Sequence, residues 1–263
     1  MPLDNESTAL GIDLIARALA GAPLPFTLRY FPTLDSTNTY AMRLPPGEAQ
    51  EGLVIVTDHQ TAGRGRVGRV WEGFARQQLT FSVILTPSFA ANWLMMASAL
   101  AVHEAITGVT ELAPAIKWPN DVLIGGKKVC GILIETSGEI AVIGIGVNVN
   151  GSLAHLPELA TRATTLEDEA DQPLSREALA AAILLALAEH YEAMRSQGDA
   201  GREAVRVAWR DRLITLGAEV RVDQGQTQMT GWAEDVAEDG ALIVRRDNGE
   251  RVLITWGDVN IGD

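Results

Sequence analysis

Residues 121–150 constrain this chain more than any other stretch. Val122 to Ile124 and Val129 to Ile134 are apolar, β-branched runs on either side of Gly125-Gly126, a strong hairpin signal, and Ile140 to Val149 adds another strand. A sheet must therefore lie at the centre of the fold. Leu53 to Thr57 and Leu79 to Leu85 predict two more strands. Ala91 to Thr107 carries Trp93, Leu94, Ala97, Leu100 and Ala101 at helical spacing, so a largely buried helix precedes the three strands. Its tryptophan and methionines read as core. Ser175 to Arg195, with Leu179, Ile183, Leu187, Tyr191 and Met194 on one face, predicts the longest helix, and Asp199 to Leu213 a second. Asp35-Ser36-Thr37-Asn38 supplies cap residues for a short helix beginning near Ser36.

After Leu216 the pattern changes to short strands, at Glu219 to Val222, Met229 to Trp232, Gly240 to Arg246 and Arg251 to Trp256, with a hairpin turn at Asp247-Asn248-Gly249. Ahead of Leu28 there is room for one helix, near Gly11 to Ala20, which is too little for a helix-turn-helix DNA-binding module. The expected organisation is α/β: a short extension at 1–28, a main domain at 29–214, and a small all-β module at 215–263.

The formal net charge of −13 opposes general binding of nucleic acid, which needs basic residues to replace counterions on phosphate. No stretch is apolar enough to cross a bilayer, and the opening MPLDNESTALG lacks the basic start and apolar run of a signal peptide, so neither DNA nor membrane is an expected partner and the cytoplasm is the expected location. Cys130, the only cysteine, excludes an intrachain disulfide and reads as packing. His59, His103, His155 and His190 show no ligand spacing.

In so acidic a chain, Gly63-Arg64-Gly65-Arg66-Val67-Gly68-Arg69 stands out. Its glycines can bring backbone N–H groups close to an anion, and guanidinium groups add bidentate charge. A solvated basic turn is the plainer reading, but the interleaved glycines and missing acidic neighbours favour an anion site. Gly63, Gly65 and Gly68 spell G-x-G-x-x-G, yet a strand follows instead of a helix, and no Asp or Glu occurs between Glu72 and Glu104, so a dinucleotide fingerprint fails. Kinase and P-loop motifs fail too, for want of their partner segments.

Lys117-Trp118-Pro119-Asn120-Asp121 presents a cation, an amide and a carboxylate from a backbone stiffened by proline, and Lys127-Lys128 leads into a strand. Gly144-Ile145-Gly146-Val147-Asn148-Val149-Asn150 leaves one strand face nearly without side chains. That suits either a flat ligand lying on the strand or tight packing; the segment alone does not choose.

Together with Ser36-Thr37-Asn38, Gln60 to Arg66, and Lys128 with Gly131-Ile132-Leu133, these segments resemble the biotin protein ligase family in order and spacing, over roughly Arg29 to Asp263. The resemblance implies a mixed-sheet catalytic domain of the biotin/lipoate ligase type, with a small C-terminal SH3-like barrel. It implies ATP-dependent formation of biotinyl-5′-AMP, then transfer of biotin to a lysine of the carrier domain of a biotin-dependent carboxylase. By the same similarity, Ser36, Thr37, Asn38, Gln60 and Gly131 line the biotin site, and Arg64, Gly65 and Arg66 belong to a mobile loop over biotin and adenylate. Lys128 contacts the carboxylate. Arg66, Arg69, Trp71, Lys117, Asn120, Asp121 and Asn148 serve ATP, Asp121 through Mg²⁺. Lys128, Arg64 and Arg66 are the expected catalytic groups.

Some larger family members carry an N-terminal DNA-binding module, and the short stretch here predicts a ligase without repressor function. Whether two copies pair as a homodimer is left open. The nearest rival is a lipoate or octanoate ligase or transferase, whose site would be more apolar than the Ser-Thr-Asn set with Gln60. A non-catalytic biotin or nucleotide sensor is disfavoured by Lys117, Lys128 and Arg64.

Overall fold

The computed structural model describes residues 9–45, 47–73 and 75–262. Among them the elements run α1 (Ile12–Ala18), β1 (Thr27–Phe31), α2 (Thr37–Met42), β2 (Leu53–Thr57), β3 (Gln78–Leu85), α3 (Asn92–Val109), β4 (Ala115–Lys117), β5 (Asp121–Ile124), β6 (Lys127–Ser137), β7 (Ile140–Asn148), α4 (Pro157–Ala160), α5 (Leu166–Ala170), α6 (Arg176–Ser196) and α7 (Asp199–Arg210). Five strands follow: β8 (Glu219–Gln224), β9 (Thr227–Val236), β10 (Leu242–Arg245), β11 (Arg251–Ile254) and β12 (Asp258–Ile261). The first seven strands form one mixed sheet in the order β1-β2-β3-β7-β6-β5-β4, with β1 and β2 parallel and the other neighbours antiparallel. The last five form an antiparallel SH3-like sheet in the order β11-β10-β9-β8-β12.

The β5–β6 hairpin turns at Gly125 and Gly126, which both take positive φ, the conformation a two-residue turn demands. Strands β1, β4 and β12 and helices α4 and α5 were not anticipated. Each is five residues or fewer, too short for periodicity to show. Four strands rather than three therefore follow α3. The shortest, β4, is held by a tertiary partner, since Ile116 N donates to Arg212 O and Ile214 N to Ile116 O, both at 3.0 Å.

Strand alternation gives the sheet two unlike faces. Val54, Val56, Phe81, Val83, Ile145 and Val147 point into the core formed with α3 and α6. The opposite face carries Ser82 on β3 and Gly144 and Gly146 on β7, and is covered only at one end, where the short α2 packs Ala41 against Leu53, Ile55, Ile84 and Val142. The open remainder is where a ligand can reach the strands. Cys130 is fully buried among apolar side chains, and burial pushes its thiol well above the usual range, as packing requires.

The C-terminal sheet is docked firmly. Trp118, 3% exposed, donates its backbone N–H to Thr215 Oγ1 and its indole N–H to Gly240 O, each at 2.9 Å. Arg210 on α7 forks onto Asp235 on β9. The Trp118–Pro119 peptide is cis.

Behind the open face lies a buried charge pair. Arg176, at the start of α6, donates to Asp58 Oδ1 at 2.8 Å and to Gln78 O at 3.2 Å, and Tyr30 Oη donates to Asp58 Oδ2 at 2.7 Å. Burial, seconded by Asp58, pushes the Tyr30 hydroxyl up to about 12. Asp58→Asn removes the negative charge that neutralises a buried guanidinium; we expect a loss of about 3 kcal/mol in stability, read from urea denaturation.

Candidate active site

A cavity of about 260 Å³ opens on the uncovered face of the large sheet and extends to the edge of the small one. It is lined by Ser36, Thr37, Asn38, Gln60, Arg64, Gly65, Arg66, Arg69, Trp71, Lys117, Asn120, Asp121, Lys128 and Gly131 among others, so segments far apart in sequence meet there. Asn148 is the exception. It lies behind the wall, 7% exposed, accepting from Gln78 Nε2 at 3.0 Å and donating to Thr164 O at 3.1 Å. Gln78 in turn accepts from the Trp71 indole N–H at 3.2 Å. Asn148 is thus joined to the cavity lining through Gln78 and Trp71.

The Ser-Thr-Asn segment is arranged by its neighbours. Ser36 caps α2, which turns Thr37 and Asn38 inward, both 3% exposed. The Thr37 N–H and hydroxyl donate to Gln60 Oε1 at 2.8 and 3.2 Å. The buried Ser82 hydroxyl lies 2.7 Å from Thr37 Oγ1 and 2.6 Å from Asn38 Oδ1. Asn38 Nδ2 donates to Glu135 Oε2 at 3.0 Å. These polar groups are held in place without a ligand.

The glycine alternation now has its explanation. Gly131 and Gly146 are register partners on β6 and β7, and together make a shelf on which the Trp71 indole lies: a Cβ on Gly146 would stand 2.6 Å from the ring, and one on Gly131 3.0 Å. A Cβ on Gly144 would stand 2.3 Å from Asn38 Oδ1. The flat group lying on the strand is the chain's own indole, which is the close-packing reading of the segment. Lys128 Nζ sits 5.6 Å from the centroid of that ring, within cation–π range.

The Gly-Arg segment is closed on itself. Gly65 N donates to Arg69 O, Arg69 N to Arg66 O, and Trp71 N to Gly63 O, so these three amides are turned inward to the segment's own carbonyls. The side chains reach outward instead, each to a different element. Arg64 forks onto Glu135 of β6 at 2.8 and 3.0 Å, Arg66 donates to Asn120 Oδ1 at 3.0 Å, and Arg69 pairs with Asp258 of β12. Burial pulls the Arg66 guanidinium below its ordinary value, partly offset by Asp258 and Asp121.

On the facing wall, Lys128 Nζ lies 2.6 Å from Asp121 Oδ1, a direct ion pair. Lys117 is lowered chiefly by burial, against the pull of Asp121 and with Lys128 adding repulsion. Five basic side chains and three acidic ones, Asp121, Asp223 and Asp258, line the cavity, a positive excess inside a chain of −13. Such a cavity can draw two anions together. Glu135, Ser82, Gln78 and Asp258 escaped the sequence reading. Only the alternation along β3 pointed to Ser82 and Gln78; a lone carboxylate at a strand end, like Glu135, carries no signal of its partner.

Comparison with known proteins agrees with this geometry. The model of the biotin/lipoate A/B protein ligase family matches residues 30–150, and that of the biotin protein ligase C-terminal domain matches residues 215–262. The biotin–[acetyl-CoA-carboxylase] ligase of Mycobacterium tuberculosis is 35% identical over 233 residues, 85% of this chain and 85% of its own length. The bifunctional ligase/repressor BirA of Bacillus subtilis is 32% identical over 244 residues, 89% of this chain and 74% of its own. The structure of the Aquifex aeolicus biotin protein ligase in complex with biotin and ATP superposes with a TM-score of 0.79 at 29% identity, covering 90% of this chain and 99% of that one. The chain belongs to the biotin protein ligase family.

Proposed function

We propose that the protein activates biotin with ATP and transfers it to a lysine of a biotin carboxyl carrier domain. The observation that carries this reading is the convergence of Arg64, Arg66, Arg69, Lys117 and Lys128 on one cavity, beside the fixed polar set Ser36, Thr37, Asn38 and Gln60. In the first step a carboxylate oxygen of biotin bonds to the α-phosphorus of ATP as the bond to the β-phosphate bridging oxygen breaks, releasing diphosphate. Two anions must approach each other, and the cations lower the cost of concentrating their charge. Lys128, paired with Asp121 at the cavity wall, suits the carboxylate and the acyl-phosphate; Arg66 and Lys117, with Asn120, suit the phosphates. In the second step the carrier lysine amine attacks the acyl carbon and AMP leaves. The polar set suits a ureido ring better than a bare acyl chain, which favours biotin over lipoate.

Among the described residues no group of three His, Cys, Asp or Glu side chains could hold a metal ion. Mg²⁺ is commonly held by one or two carboxylates plus substrate phosphates, and Asp121, a carboxylate in the cavity lining, would be the residue to hold it. The ion supplies charge neutralisation at the phosphates. Division of the chain into 1–28, 29–214 and 215–263 is part of the same proposal, as is a cytoplasmic location, where ATP and carboxylases meet. No described helix is long and apolar enough to cross a membrane.

Incubation with ATP, Mg²⁺ and either biotin or lipoate, followed by mass analysis of the acyl-adenylate, should yield biotinyl-adenylate alone; a lipoyl-adenylate would transfer the assignment to the rival class, and no adenylate would leave a sensor. Lys128→Ala should slow adenylate formation on the order of 10²- to 10³-fold with its melting temperature little changed. Arg64→Gly should release adenylate into solvent, scored as biotin on bystander protein lysines. Gly146→Val drives the Trp71 indole off its shelf and should lower kcat/KM for ATP on the order of 10²-fold, the effect of an ångström-scale misplacement.

A further inference from the structure

Resting on that reading, we infer that Glu135 is the latch of the Gly-Arg loop, a positioning residue that holds Arg64 over the cavity and ties it to the polar floor. Both carboxylate oxygens of Glu135 accept from the Arg64 guanidinium, at 2.8 and 3.0 Å, the parallel two-bond geometry that a planar fork favours. Its Oε2 also accepts from Asn38 Nδ2 at 3.0 Å. Asn38 continues the connection through Oδ1 to Ser82, buried in β3. One carboxylate thereby joins a loop 71 residues away in sequence to the residues that the ligase reading gives to biotin.

An exposed ion pair would add little by itself. The Arg64 side of this pair is 47% exposed and the Glu135 side 23%, so what sets it apart is its bidentate geometry and the buried Asn38 amide that orients the carboxylate. Among the three outward contacts of the loop, Arg66 meets a neutral amide and Arg69 meets a carboxylate on the small sheet. Arg64–Glu135 is the contact that fastens the loop to the large sheet by charge. Glu135→Gln keeps the size of the side chain and an oxygen for Asn38 while removing the charge and one acceptor. Loss of the latch opens the loop while Lys117, Asn120 and Lys128 stay on the cavity wall.

The test uses the whole chain as wild type, Glu135→Gln, Arg64→Gln and the double variant, each first checked for an unchanged melting temperature. Limited trypsin digestion without substrates reports loop opening as cleavage after Arg66 and Arg69, and needs no ligase activity. Biotinylation of bystander protein, with biotin, ATP and Mg²⁺ present, reports escape of the adenylate. We expect Glu135→Gln to raise both by roughly tenfold, about 1.4 kcal/mol, and the double variant to exceed neither single variant, since both remove one contact. Cleavage and escape at wild-type levels in Glu135→Gln would overturn the latch, as would a double variant showing the product of the two single effects. If wild type makes no biotinyl-adenylate the ligase reading fails, while the digestion still decides the latch.

Discussion

Three guanidinium contacts hold residues 63–71 across the open face of the large sheet, and the site depends on them. Arg64 reaches β6, Arg66 the turn before β5, and Arg69 the small C-terminal sheet. The amides of Gly65, Arg69 and Trp71 are engaged with carbonyls of the same segment, which meets the rest of the site through its arginine side chains and the Trp71 indole. The Trp71 indole, on its shelf over Gly131 and Gly146 and bonded to Gln78, anchors the end of the segment, while the arginine contacts hold its rim.

The cavity beneath shows why an acidic protein can handle anionic substrates. Its basic residues come from three separate segments and are interleaved with a few carboxylates that hold them apart in defined positions. Lys128 between Asp121 and the Trp71 ring is one case. Arg69 against Asp258 is another, and it makes the C-terminal sheet part of the site's wall. The docking of Trp118 onto Thr215 and Gly240 keeps that wall in register.

Much of the architecture was legible from local pattern. The hairpin at Gly125-Gly126, the strands around it and the three long helices follow from periodicities of two and 3.6, which are properties of neighbouring residues. Strands β1, β4 and β12 were not legible, since their few residues become strands by pairing with partners already in place. The same division runs through the site. Motif residues such as Lys117, Lys128 and Arg64 could be named in advance, whereas Glu135, Ser82 and Gln78 could not, nor could the bonds that join Asn148 to Gln78 and Gln78 to Trp71.

The amino-acid order by itself determined which residues would be available: glycines with no side chain at alternate positions of one strand, cations concentrated in an acidic chain, and a cap that turns Thr37 and Asn38 inward. Tertiary structure alone decided what meets what. Whether Gly146 faced a ligand or an indole, and which carboxylate met each arginine, depended on pairing β3, β6 and β7 side by side. Such contacts join groups tens of residues apart, and their energies exist only once the sheet has brought the groups within a few ångströms; no local pattern encodes that distance.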